Sequence, residues 1–249
     1  MNIIVSFKVV PDDQDIQVAG DRSLDFSKAK GIVSAYDLNA MEAAAQIADG
    51  GKVVAITAGA ASINDGKLKK NVLARGVDEL VMCADDACAN LDAHATACAL
   101  ASLVEKVGEY DLILCGDGSA DNYAQQTDVQ LAARLGLPVV NAVSKITPEA
   151  GVVVVERTLE DVVETVRVPL PAVVSVTPDV AVPRIPGMKD ILAAGKKPMD
   201  VSGVAGACEN ALETVSCLAP EQADRKLEIL DASADGAVAQ FAAALKAAL

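Results

Sequence analysis

The run LCGDGSADNYAQQTDVQLAARLGLP, residues 114–138, carries the clearest capacity for chemistry in this chain. An apolar stretch ends in Gly116-Asp117-Gly118-Ser119, and helix-like periodicity follows. Gly116 and Gly118 let the backbone approach a ligand closely, and a following helix offers its first N–H groups to a phosphate. Ser119, Asn122, Gln125, Gln126 and Thr127 add neutral hydrogen-bonding groups. Asp117 and Asp121 suit ribose hydroxyls or a helix N-terminus better than a phosphate. Neither GxGxxG nor GxxxxGK[ST] occurs. With no P-loop lysine to stabilise charge on a transferred phosphoryl group, hydrolysis is disfavoured and static binding fits better. A tight strand–helix turn that holds nothing also uses glycine, and spacing alone does not separate the two readings.

Two more strand ends belong beside this loop if the sheet is open and parallel, because such sheets bind ligands at the carboxyl ends of their strands. Ser6-Phe7-Lys8 leads out of the first strand, and Thr57-Ala58-Gly59 follows the second. Lys8 serves either to neutralise a phosphate or as an edge charge. His94, in LDAHATA, reads as a surface or capping residue in the first turn of a helix.

The elements that would position these residues alternate. Ile3–Val10, Lys52–Thr57, Glu79–Cys83 and Asp111–Cys115 are short apolar runs, as buried parallel strands are. Tyr36–Ala48, Ser62–Ala74, Asp92–Val107 and Tyr123–Leu135 read as helices, with apolar positions spaced at three and four such as Leu38, Met41, Ala45 and Ala48. Asp92 and Asn122 are placed as N-caps, and Gly76 and Gly136 as left-handed helix ends. Strand–helix alternation implies a parallel sheet with helices on both faces. Residues 11–35 suggest a small hairpin, Ile16–Val18 with Leu24–Phe26. Val152–Arg157 and Val162–Val168 suggest a second, followed by a strand in PLPAVVSVT. Arg157 is expected to pair across strands. Residues 178–198 hold four prolines and read as an exposed loop with a helical turn. Residues 199–249 read as an arm ending in a helix over Ala234–Leu249.

Composition narrows the function classes. With 35 acidic and 21 basic residues the net charge is −14, the wrong sign for a nucleic-acid footprint. No Trp and only three Tyr and three Phe leave little for a single-strand stacking platform. Apolar runs are far too short for a membrane span, and the N-terminus lacks a signal pattern, so a cytoplasmic protein without membrane insertion is expected. The six cysteines include no C-x-x-C pair; several sit in apolar runs as reduced small hydrophobes, and no structural disulfide framework is expected. With a single histidine, no metal site and no His-based triad are expected, so no catalytic constellation is assigned.

The chain resembles the β subunit of electron transfer flavoprotein, FixA type. The likeness rests on MNIIVSFKVVPD, SAYDLNAMEAA, LARGVDELV, DLILCGDGSADNYAQQT, AARLGLPVVNAVSKI, VERTLED and LPAVVSVTPDVAVPRIPGMKDILAAGKKP in this order. It implies a three-layer α/β/α fold, adenine nucleotide alpha hydrolase-like, with a mainly parallel sheet. Residues 1–198 would be the nucleotide-binding domain, with a partner-recognition loop near 184–197, and 199–249 an arm for the α subunit. The heterodimer would carry electrons from acyl-CoA-type dehydrogenases to a quinone oxidoreductase, its redox-active FAD held mainly by the α subunit. The β subunit would bury AMP or, as the alternative, a second FAD. Carried over by position, the cofactor site is Ser6, Ser34, Ala35, Tyr36, Asp37, Ala58, Gly116, Asp117, Gly118, Ser119, Ala120, Asp121, Asn122, Tyr123, Ala124, Gln125, Gln126 and Thr127. Met188 matches the apolar anchor of the recognition loop, with Ile191 and Leu192 beside it. Ser34-Ala35 stands where most relatives have Asn-Pro. The competing classes are a nucleotide-hydrolysing α/β enzyme and a stress-type nucleotide-sensing regulator.

Overall fold

The computed structural model describes residues 1–203, 208–222 and 227–248. In chain order the elements are β1 Ile3–Ser6, β2 Val9–Pro11, β3 Gln17–Val18, β4 Leu24–Asp25, β5 Gly31–Val33, α1 Ala35–Ile47, β6 Val53–Gly59, α2 Gly66–Leu73, β7 Glu79–Ala84 and α3 Ala93–Val107. Then come β8 Leu112–Gly116, α4 Thr127–Leu135, β9 Val139–Glu149, β10 Val152–Thr158, β11 Val163–Pro169, β12 Ala172–Val176, α5 Met188–Ala194, β13 Met199–Ser202 and α6 Ala237–Ala248. The chain divides into two compact units, Met1–Gln17 with Asp25–Ser216, and Val18–Leu24 with Cys217–Leu249.

The first unit is an α/β domain around a nine-stranded sheet in the order β11-β10-β9-β12-β8-β1-β6-β7-β13. The pairs from β9 through β12, β8, β1, β6 and β7 to β13 are all parallel. Only β10 runs antiparallel, against β9 and β11. Alternate residues of the central strands point to opposite faces, and the core divides accordingly. Ile3, Val5, Val53, Ala55, Leu80, Met82, Leu112 and Leu114 pack with Met41 of α1 and Val72 of α2. Ile4, Val54, Ile56, Val81, Ile113 and Cys115 pack on the other face with Leu100 and Val104 of α3 and Leu131 of α4. The result is the three-layer α/β/α architecture that the resemblance implies. Truncating a fully buried member such as Leu114 is expected to cost about 2–5 kcal/mol.

Helix ends follow local chemistry. Asp65 and Asp92 cap α2 and α3 by accepting the N–H groups of Leu68 and Ala95. Gly136, at φ 67°, closes α4 in the left-handed conformation. Arg157 meets Glu164 across β10 and β11 at 3.7 Å and donates to Asn141 at 2.8 Å.

Several sequence expectations change. The first strand ends at Ser6, and Val9–Pro11 leaves the sheet to pair with β5. Strand β9 was not expected. Its NAVSKITPE segment mixes polar residues with Pro148 and bends at Ala142, φ 56°. Strand β13 was not expected either; it adds an edge strand beside β7. No disulfide framework was expected, yet Cys98 and Cys208 form a disulfide. They lie 110 residues apart, and Asn210, Ala211 and Leu212 are hydrogen-bonded to Asn90 and Asp92 at the start of α3.

In the second unit, Arg22 pairs with Glu221 at 3.1 Å and Ser23 bridges Leu218. Helix α6 exposes Val238, Phe241 and Leu245, an apolar stripe at helical spacing. Leu249, the last residue of the expected helix, lies outside the described residues.

Candidate functional site at the β1–β8 crevice

Strand order reverses at β1: the chain continues through β6 and β7 on one side, while β8, β12 and β9 lie on the other. The crevice outside the carboxyl ends of β1 and β8 is therefore the switch point where open α/β sheets hold ligands. The three strand ends named from sequence belong to β8, β1 and β6, which are consecutive in the sheet. Concavities of about 280 and 390 Å³, lined in part by Lys52 and Tyr110 and by Asp111 and Pro171, lie at the opposite, amino-terminal edge. They lie away from the glycine loop, so volume is a poorer guide here than the convergence of polar groups.

Asp37 ties the crevice together. It sits in the first turn of α1 and is buried. One oxygen accepts the Lys8 N–H at 2.7 Å and the other the Gly116 N–H at 3.1 Å. The exits of β1 and β8 are thus held by one carboxyl. Burial pushes that carboxyl up to about 7, against the two N–H bonds and the Lys8 charge. Gly116 is required by this contact. A Cβ there would lie 2.6 Å from Asp37 Oδ1 and 2.9 Å from Tyr36.

The loop after β8 is organised by a second buried acid. Asp117 Oδ2 accepts from the Tyr123 hydroxyl at 2.9 Å and from the Gln125 amide at 2.8 Å. Tyr123 and Gln125 are non-glycine residues in the left-handed region, φ 44° and 54°. Such conformations cost about 1–3 kcal/mol each and need fixed partners, which Asp117 supplies. The Asp117 bond in turn pushes the Tyr123 hydroxyl up to about 12. Gly118 gives way to the Tyr123 ring, which a Cβ would meet at 2.4 Å. Tyr123 also lies 5.0 Å from Tyr36, centroid to centroid. Ser34 Oγ accepts the Ala120 N–H at 3.3 Å. Lys8 Nζ reaches Asp121 at 2.6 Å. Burial alone would raise the Asp121 carboxyl, but bonds from Lys8 and Ser119 and the lysine charge hold it below its ordinary value.

Ser34, Tyr36, Asp37, Gly116, Asp117, Ala120, Asp121, Tyr123 and Gln125 are thus brought into one hydrogen-bonded and stacked group. Ser6 lies beside it, but its hydroxyl points into the sheet and donates to Cys115 Sγ at 3.1 Å. Ala35 opens α1, and Ala58 is the penultimate residue of β6, one strand away. Asn122, Ala124 and Gln126 are exposed. The expected helix Tyr123–Leu135 begins only at Thr127, with Gln126 in place of Asn122 at the N-cap. The left-handed residues at 123 and 125 cannot continue a helix, so its N-terminal N–H groups start four residues further from the glycines than expected.

Helix α1 also anchors the proline-rich segment. Asn39 donates to the carbonyls of Pro178 and Ala181 at 3.1 and 2.8 Å. Buried Glu42 takes a bidentate pair from Arg184 at 2.6 and 3.0 Å, and Arg75 donates to the Arg184 carbonyl. Those bonds, led by the Arg184 fork, hold the Glu42 carboxyl below its ordinary range. Beyond this anchor Ile185 is 93% and Met188 73% exposed, with Ile191 and Leu192 also exposed. Sequence reasoning did not select Asn39 or Glu42. The available signal was a carboxylate on the apolar face of SAYDLNAMEAA, where a charge requires a partner. It also missed Asp128, which accepts the buried Ser175 hydroxyl and fixes α4 on β12.

Among the described residues no helix is long and apolar enough to cross a membrane. A family model described as the electron transfer flavoprotein domain matches residues 23–207, a span from before α1 to beyond β13 that includes the glycine loop and the anchored segment. With well over half of its length matched, the chain belongs to the electron transfer flavoprotein family, whose members pass electrons between partners rather than turn over a substrate.

Proposed function

We propose that this chain is the β subunit, FixA type, of a heterodimeric electron transfer flavoprotein and that it holds AMP at the β1–β8 crevice. The observation carrying this reading is the binding of Ser34–Asp37 and Gly116–Gln125 into one polar group at the strand-order reversal. Its chemistry fits an adenine nucleotide. Tyr36 and Tyr123 offer aromatic faces, and hydroxyls and amides suit a ribose. Lys8 supplies a cation at the crevice, facing Asp121 and close to Asp37. A lysine already set among carboxylates favours a monophosphate over the pyrophosphate of a second FAD, which stays the alternative ligand. AMP supplies no redox chemistry; it fills and orders the crevice.

In this reading residues 1–198 are the nucleotide domain and 199–249 the arm that grasps the α subunit, which carries the redox-active FAD. The α6 stripe of Val238, Phe241 and Leu245 suits such a partner. Met188, with Ile191 and Leu192, docks transiently into an acyl-CoA-type dehydrogenase, a flexible apolar anchor on an arginine-clamped loop. Electrons then pass to a quinone oxidoreductase. The protein works in the cytoplasm without catalysis of its own. The test is co-expression with an FAD-carrying α subunit: a 1:1 heterodimer that accepts electrons from a dehydrogenase is expected. A stable homodimer, or ATP turnover by the isolated chain, would overturn the reading.

A further inference from the structure

We propose that His94, Cys98 and Cys208 form a zinc site in the dithiol state of this protein, with zinc and the Cys98–Cys208 disulfide as alternative occupants of the same two sulfurs. His94 and Cys98 are four apart on α3 and so share one helix face. Cys208 arrives from the segment that follows β13. The imidazole nitrogen and the two sulfurs all lie within 4.8 Å of one another.

The disulfide is not what holds Cys208 in place. Asp92 Oδ2 accepts the N–H groups of Ala211 and Leu212 at 2.6 and 2.8 Å. The Asn210 side chain accepts the Asp92 N–H and donates to the Asn90 carbonyl, both at 3.0 Å. Asp92 meanwhile caps α3 through Ala95 N–H at 2.8 Å. Reduction therefore leaves both thiols and the imidazole facing each other on a docked frame. Zinc takes sulfur at about 2.3 Å and histidine nitrogen at about 2.0 Å in a tetrahedron, so the sulfurs need part only to about 3.7 Å.

The donor set selects the ion. Two thiolates and a neutral imidazole neutralise a divalent charge without a further counterion, and soft sulfur with borderline nitrogen favours zinc over magnesium or calcium. His94 is exposed and Cys208 half-buried, which gives the ion a path in and leaves the fourth position to water. The nearby Cys83 and Cys88 are poorer ligands. Their sulfurs lie 3.6 Å apart, Cys83 donates to the Gly203 carbonyl, and burial pushes the Cys88 thiol up to about 11.

The chemistry balances. A dithiol reductant gives two electrons and two protons to the disulfide, becomes a disulfide itself, and leaves Cys98 and Cys208 as thiols. Zinc binding then breaks two S–H bonds, forms two Zn–S bonds and one Zn–N bond, and releases two protons.

The test uses the full-length chain, reduced with a phosphine and desalted without oxygen. It is titrated with zinc against a chromophoric chelator and, separately, with cobalt(II), read by its thiolate charge-transfer and tetrahedral bands. One ion per chain is expected, with none on the oxidised protein. Cys208→Ser is expected to weaken binding by at least about 100-fold and His94→Ala by at least about tenfold, while Cys217→Ser binds as the parent does. His94 and Cys208 are not core residues, so both variants are expected to keep the parent circular dichroism spectrum. Absence of zinc binding by the reduced chain, undiminished affinity in His94→Ala, or a cobalt complex without thiolate charge transfer would overturn the proposal. Every readout is independent of the nucleotide at the β1–β8 crevice.

Discussion

Replacing Asp37 by Asn separates the charge of the crevice carboxyl from its shape. The folded protein holds this group near 7, against an ordinary value of 3.8, because burial disfavours its ionised form. The folded state therefore keeps a proton that the unfolded chain gives up. Stability from this group is fully present below pH 3.8 and is lost as pH rises through 7, by up to about 1.4 kcal/mol per pH unit. Between pH 5 and 8 the loss integrates to about 2–3 kcal/mol. Asparagine does not titrate and loses nothing over that window. At pH 5 the protonated carboxyl still offers its hydroxyl oxygen's lone pair to the second of the Lys8 and Gly116 N–H groups, whereas the asparagine NH2 offers none, so the variant is expected to be less stable by about 1–3 kcal/mol. At pH 8 the gap is expected to close or reverse. Guanidinium unfolding followed by circular dichroism at pH 5, 6, 7 and 8 measures it. A gap that stays constant within about 0.5 kcal/mol, the scale of an ordinary surface substitution, refutes the reasoning.

Other perturbations address the loop, the anchor and the docking residues. Gly116→Ala forces a Cβ against Asp37 and Tyr36 and is expected to destabilise by about 1–3 kcal/mol and to lower bound nucleotide, read by unfolding and by adenine content after denaturation. Met188→Ala is expected to slow electron transfer from a dehydrogenase at least about tenfold with nucleotide content unchanged, because Met188 is 73% exposed and free to dock; stopped-flow flavin reduction reads it. Arg184→Ala leaves buried Glu42 without its fork and is expected to cost about 1–3 kcal/mol and to open residues 182–192 to limited proteolysis.

What the sequence made legible was local. The four central strands follow from short continuous apolar runs and α1 and α3 from period-3.6 patterning, and the strand-end loops follow from glycine placement. What it hid was set by contacts distant along the chain. The Glu42–Arg184 fork spans 142 residues and the disulfide 110, and no spacing rule reports either. The late start of α4 has a related cause. Residues 123–126 carry a helix-compatible pattern, but buried Asp117 draws Tyr123 and Gln125 into left-handed backbone through their side chains. Strand β9 was lost to its mixed polarity and its bulge, and β13 to its four-residue length. The crevice was therefore readable as three adjacent loops, while Asp37, the group that binds two of them, became visible as a hub only in three dimensions.

The most direct test of the central claim is to purify the chain with its partner, denature it, and identify the released small molecules by mass spectrometry. The account predicts one AMP per heterodimer, unhydrolysed, beside the FAD of the α subunit. Release of no adenine nucleotide other than that FAD would contradict it.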